Sequence, residues 1–222
     1  FSQFSTIRHQ LATEAASFRR QNILHLKETE QVHLCLGYPG LAYHDERLHA
    51  LSILNNVFGG SMSSRLFQHI REDHGLAYSV FSYHTAHRME GLFAVYAGTA
   101  PEQAEMVLSM IYDIVEDIRN NGISEKELTK AREQIKGNLV LSLESTNSRM
   151  SRLGRNELLL GQHWSVDELL EKLDRITLED VHAVARDVFQ SPPAIAAVGA
   201  ESSLIQLERS FSSTTDDGGN TV

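Results

Sequence analysis

The chain has 222 residues, 41% apolar and 22% charged, with 4 Pro and 14 Gly, which allows a sizeable core in one large or two small domains and excludes collagen-like and wholly disordered classes. Its net charge of −9, from 20 Lys plus Arg against 29 Asp plus Glu, opposes approach to phosphate backbones, so nucleic acid is not an expected partner. No apolar run approaches the ~20 residues of a membrane helix, so no membrane partner is expected either.

Residues 1–16 are mixed and polar and read as a linker or N-terminal extension. The first residue is Phe1, and no signal-like region opens the chain, so a fragment or processed product is expected. Alternation in 23–26 and 32–38 predicts two strands joined antiparallel across the polar turn 27–31. The one cysteine, Cys35, falls on this alternation and reads as a small buried hydrophobe, with no internal disulfide. Helical spacing follows over 45–58, stopped by Gly59-Gly60, and over 63–74, stopped by Gly75. Strands are predicted at 78–84 and 92–97, and Pro101 opens a long helix closed at Asn121-Gly122. Ser124 with Glu127, Ser165 with Glu168 and Thr177 with Asp180 mark further helix starts, and 146–160 reads as a helix between them. Arg149, Arg152 and Arg155 read as a solvated helix face. A short strand at 194–198 returns, and a Ser/Thr/Asp/Gly-rich end reads as disordered. Two hairpins separated by helices predict an α+β layer sandwich, not a doubly wound parallel sheet.

Eleven histidines invite a metal reading. His69 and His74 are separated by five positions, which on an α-helix turns the second ring roughly 140° from the first. A zinc helix needs two His at i and i+4, so this pair does not converge, and the same holds for His44 and His49. His84 and His87 flank a strand end and carry little metal signal. The chain alone is expected to build no zinc site. Gly59 to Ser64 matches neither a phosphate loop nor a dinucleotide fingerprint and reads as a turn between helices. The informative residues are Arg71 and Tyr78, which flank a tight helix-to-strand turn at Gly75. An Arg fork donates to carbonyls or carboxylates, and a Tyr hydroxyl donates to a developing oxyanion. The residues alone favour a surface Arg and a core Tyr over a functional pair.

Ile70-Arg71, then Gly75-Leu76-Ala77-Tyr78-Ser79-Val80, preceded by Gly59-Gly60 and Ser63-Ser64-Arg65-Leu66, resembles the C-terminal homologous domain of the insulinase/pitrilysin-type zinc metallopeptidases. These are the inverzincins, which include the mitochondrial processing peptidases. The resemblance implies a two-layer sandwich of a mostly antiparallel sheet with helices on one face, forming half of a clamshell peptidase. It implies a homologous domain at 17–201 and a tail at 202–222. It implies that Arg71 and Tyr78 contact substrate, with Tyr78 also catalytic, while Zn is held by a separate N-terminal half through His-x-x-Glu-His and a later Glu. The expected partners are that zinc-bearing half and a peptide substrate, with a dimer possible. The expected function is completion of a zinc metalloendopeptidase, this chain alone being inactive. The alternative within the same fold is a catalytically inactive scaffold subunit, and outside it an unrelated ligand-binding domain. The missing signal region and paired cysteines point to a cytoplasmic protein.

Overall fold

The computed structural model describes residues 16–213, with side chains through 208. The linker expected over 1–16 lies outside the described residues except for Ala16. The elements are β1 (Asn22–Leu26), β2 (Val32–Gly40), α1 (Leu48–Phe58), a π-helix (Phe67–Asp73), β3 (Ala77–Ala86) and β4 (Gly91–Thr99). A single 3-10 turn (Pro101–Gln103) leads into α2 (Ala104–Asn121), α3 (Glu125–Ser142), α4 (Thr146–Leu160), α5 (Val166–Asp174) and α6 (Leu178–Val188). The returning strand β5 (Ala194–Gly199) and α7 (Glu201–Ser213) complete the described chain.

The five strands form one sheet in the order β1-β5-β2-β4-β3. Alternation decides its two faces. Val32, Leu34, Leu36 and Tyr38 of β2 lie opposite Thr99, Ala97, Val95 and Phe93 of β4, and all are buried. Above them pack α1, α2 and α6, with Ile53, Leu54, Val107, Ile111, Val181 and Val184 pointing in. Phe189 closes the core at the end of α6, 5.1 Å from the Tyr38 ring and 5.4 Å from those of Phe58 and Phe93. The other face of the sheet carries His33, Cys35, Phe81, Tyr83 and Tyr96 and is not covered by any described helix. The fold is thus the two-layer α+β sandwich the resemblance implies. The three predicted capping boxes all form, each Ser or Thr taking the backbone N–H three residues on while the acidic side chain reaches back.

Four expectations are corrected. β1 and β2 do not form a hairpin, because β5 lies between them, parallel to β1 and antiparallel to β2. Neighbouring strands in sequence pair only about two-thirds of the time, and the small residues Ala194, Ala196 and Ala197 let β5 fill the gap. Cys35 is exposed, since Leu34 and Leu36 claim the core face and alternation turns the thiol outward. The segment expected as an α-helix over 63–74 is wound as a π-helix from Phe67 to Asp73. The tail expected from 202 instead continues as α7, whose Leu204 and Leu207 are buried; the rest of that tail lies outside the described residues.

Candidate functional site

The segment Gly59 to Tyr78 is fixed at both ends. At its start, Ser82 of β3 donates its N–H to the Gly59 carbonyl (3.1 Å) and its hydroxyl to Asn55 Oδ1 (2.8 Å). A Cβ on Gly59 would stand 2.6 Å from the Ser82 nitrogen, so this glycine serves a close approach of turn to strand edge. Six residues on, Arg65 spends its donors on the protein. Its Nε and Nη2 fork onto Glu127 (2.7 and 2.9 Å), Nη1 donates to Asp117 (2.6 Å), and Nη2 also reaches the Gly122 carbonyl (3.2 Å). Burial pushes the Glu127 carboxyl up, but the Arg65 fork and the Ser124 cap outweigh it and hold the group at about 2. Arg65 therefore bolts the start of the segment to the α2–α3 corner.

The segment ends in a π-helix, a winding with i→i+5 bonding that is rare and concentrates at functional sites. The Arg71 carbonyl accepts the N–H groups of His74 and Gly75, and the Ile70 carbonyl accepts that of Leu76 (2.9 Å). Gly75 sits at φ +63°, the left-handed conformation that favours glycine. The chain then enters β3 through a bulge: pairing with β4 passes from Ala77↔Thr99 to Ser79↔Gly98, leaving Tyr78 as the extra residue. A bulge re-aims the side chain it carries, and Tyr78 is 77% exposed.

The two sequence-predicted residues meet. The Arg71 guanidinium lies over the Tyr78 ring, 5.5 Å from its centroid, and over the Phe67 ring on the preceding turn at 4.8 Å. Glu72 Oε1 approaches Arg71 Nε only to 3.9 Å, beyond hydrogen-bond reach. Among the described residues neither the guanidinium nor the Tyr78 hydroxyl has a hydrogen-bond partner. Ring faces hold the cation while its in-plane donors stay unspent. Sequence reasoning passed over Phe67, although its position four residues before Arg71 is the spacing at which helical side chains meet.

The π winding also changes the histidine geometry, since the 140° separation of His69 and His74 assumed α-helical turns. Here the His74 Nδ1–H donates to the His69 carbonyl at 2.6 Å, and His69 stands 4.0 Å from Asp73. Among the described residues no group of three or more His, Cys, Asp or Glu is placed to hold a metal ion, so these residues do not fit zinc. No described helix is long and apolar enough to cross a membrane. A cleft of ≈470 Å³ lined by Phe18, Leu41, Asp45, Arg47 and Glu90 opens at the other end of the sheet, beside the Gly40–Gly91 pair. Its Asp45 and Arg47 are paired with each other at 2.8 Å, and the cleft is remote from Tyr78.

The fold and this corner define an α+β sandwich domain that carries an Arg–Tyr pair at a helix-to-strand turn. The family described as peptidase M16 inactive domain matches residues 2–135, and the chain belongs to it. It is 48% identical over 185 residues to YmxG of Bacillus subtilis, named an uncharacterized zinc protease, covering 83% of this chain and 45% of that protein. It is 45% identical over 173 residues to SCO5738 of Streptomyces coelicolor, which carries the same description, covering 78% and 38%. The crystal structure of the peptidase M16 inactive domain from Pseudomonas fluorescens superposes with a TM-score of 0.75 at 24% identity, over 84% of this chain and 45% of that one. The chain thus spans less than half the length of the relatives it matches.

Proposed function

We propose that this chain is the substrate-clamping half of a zinc metalloendopeptidase that hydrolyses peptides or unfolded polypeptide, closing over a zinc-bearing N-terminal half. The observation that carries the reading is the pairing of Arg71 and Tyr78 with their donors unspent, at a π-helix end and a β-bulge. The metal chemistry belongs to the other half, in keeping with the name zinc protease borne by relatives about twice as long. Arg71 donates to a backbone carbonyl of the bound peptide and fixes its register. Tyr78 donates its hydroxyl to the oxygen of the scissile carbonyl as negative charge develops there. Closure of the two halves displaces water from both groups, which strengthens each donor where solvent would otherwise compete.

The test uses the full-length protein with its zinc-bearing half and a quenched unfolded peptide. Tyr78→Phe should lower kcat by about 100-fold, the loss typical of one preorganised donor to an oxyanion. Arg71→Ala should lower kcat/KM, and thermal midpoints of both variants should match that of the parent because the side chains are exposed. Full turnover by both variants overturns the assigned roles. A parent complex that cleaves no peptide with zinc supplied favours the scaffold subunit instead.

A further inference from the structure

We infer that Phe67 is a positioning residue for Arg71, forming with Tyr78 an aromatic clamp on the guanidinium; the inference rests on the function proposed above. An arginine side chain loses much rotamer freedom when fixed, and an exposed one needs a constraint before it can serve as a precise donor. Arg65 is constrained through its donors, four of its five N–H groups being committed to Glu127, Asp117 and the Gly122 carbonyl. Arg71 is constrained through its faces, by the Phe67 ring at 4.8 Å and the Tyr78 ring at 5.5 Å. That arrangement leaves the guanidinium N–H groups without a hydrogen-bond partner among the described residues, Glu72 standing 3.9 Å from Nε. A planar cation held this way suits a bidentate or carbonyl acceptor arriving edge-on.

The backbone supports the clamp. Phe67 is half-buried at the first position of the π-helix, between the buried Leu66 and the helix turn that ends in buried Ile70, so less of its ring is open to solvent than that of Tyr78. The carbonyl of Arg71 is pinned by the N–H groups of His74 and Gly75. Tyr78, the bulged residue, is the open side of the clamp, being 77% exposed. Phe67 is therefore the less exposed wall, against which Arg71 keeps its direction when Tyr78 turns toward a substrate.

The experiment measures peptide hydrolysis by the full-length protein carrying Phe67→Leu, Phe67→Tyr, Arg71→Ala and the double variant Phe67→Leu/Arg71→Ala. Phe67→Leu keeps apolar bulk and removes the ring face. It should lower kcat/KM about 2- to 5-fold, the scale of an exposed cation–π contact. The loss should fall in the same parameter, KM or kcat, in which Arg71→Ala loses. Phe67→Tyr keeps the face and should stay within about twofold of the parent. In the Arg71→Ala background Phe67→Leu should cost nothing further, since there is no guanidinium left to position. A purely structural Phe67 would cost the same in both backgrounds, and that result overturns the inference, as does parent-like activity of Phe67→Leu. If Phe67→Leu does not fold, Phe67→Met takes its place in the same cycle. Loss of activity in Arg71→Ala with none in Phe67→Leu refutes the clamp alone. Unchanged activity in Arg71→Ala refutes the proposed function and the clamp together.

Discussion

Replacing Glu127 by Gln removes the charge that Arg65 holds while keeping an oxygen for the Ser124 cap. In the parent this carboxyl titrates at about 2 against an ordinary 4.5, so the folded state favours its ionised form by about 3 kcal/mol at 1.36 kcal/mol per pH unit. The side chain keeps 29% of its exposure, and solvent screening reduces the net contribution to about 2 kcal/mol. The sign follows from proton binding. Below pH 4.5 the unfolded chain takes up a proton on Glu127 that the folded chain resists, so stability present above pH 4.5 is lost as pH falls toward 2. Glu127→Gln should therefore be about 2 kcal/mol less stable at pH 7 in urea unfolding followed by the fluorescence of Trp164, the chain's one tryptophan. At pH 3 the gap should narrow by about half, because carboxylates common to both proteins cancel in the difference. Equal stabilities at pH 7, or the same gap at both pH values, would refute the account of Arg65 as a bolt between the π-helix segment and the α2–α3 corner.

Two further outcomes test the parts around the site. Gly75→Ala should destabilise by about 1–2 kcal/mol in the same urea assay, from φ +63° alone, since a Cβ there meets nothing within 4 Å; a neutral variant would mean the turn relaxes out of the left-handed region. His84, on the core face of β3, bonds Ser52 through Nε2 (3.2 Å) and leaves Nδ1 buried without a partner. Burial lowers its pKa from 6.5, so the unfolded chain binds the proton more readily and stability should decline as pH falls below about 6.5. Comparing the parent with His84→Gln between pH 7 and 5 checks this, and identical slopes would refute it.

Where the fold was legible, local chemistry and tertiary demand agreed. The capping boxes at Ser124, Ser165 and Thr177 are three-residue signals whose meaning does not depend on the rest of the chain. The alternation of Val32, Leu34, Leu36 and Tyr38 similarly announces one buried face. It does not announce which strand lies alongside, and β5, more than 150 residues away in sequence, enters between β1 and β2 where a short polar turn had pointed to a hairpin. Cys35 was misplaced by its chemistry: a thiol prefers burial, yet period-two geometry leaves a residue between two core leucines no choice of face. The α7 helix was hidden because Leu204 and Leu207 are only two apolar residues in a polar stretch, and what they pack against is contributed by distant elements.

The site divides along the same line. Arg65 and Arg71 lie six positions apart on one helical segment, and nothing in their immediate sequence separates a structural arginine from a ligand-binding one. The distinction is made by partners brought from elsewhere. Glu127 and Asp117 arrive from the α2–α3 corner and consume the donors of Arg65. At Arg71 two rings arrive, one four residues back and one on the bulge after Gly75, with the Glu72 carboxylate no nearer than 3.9 Å. The π winding is equally unreadable from composition, since Phe-Gln-His-Ile-Arg-Glu-Asp suits an α-helix. Arg71, beside two rings and without a hydrogen-bond partner among the described residues, contrasts with Arg65, and that contrast is why the proposed function is placed on Arg71.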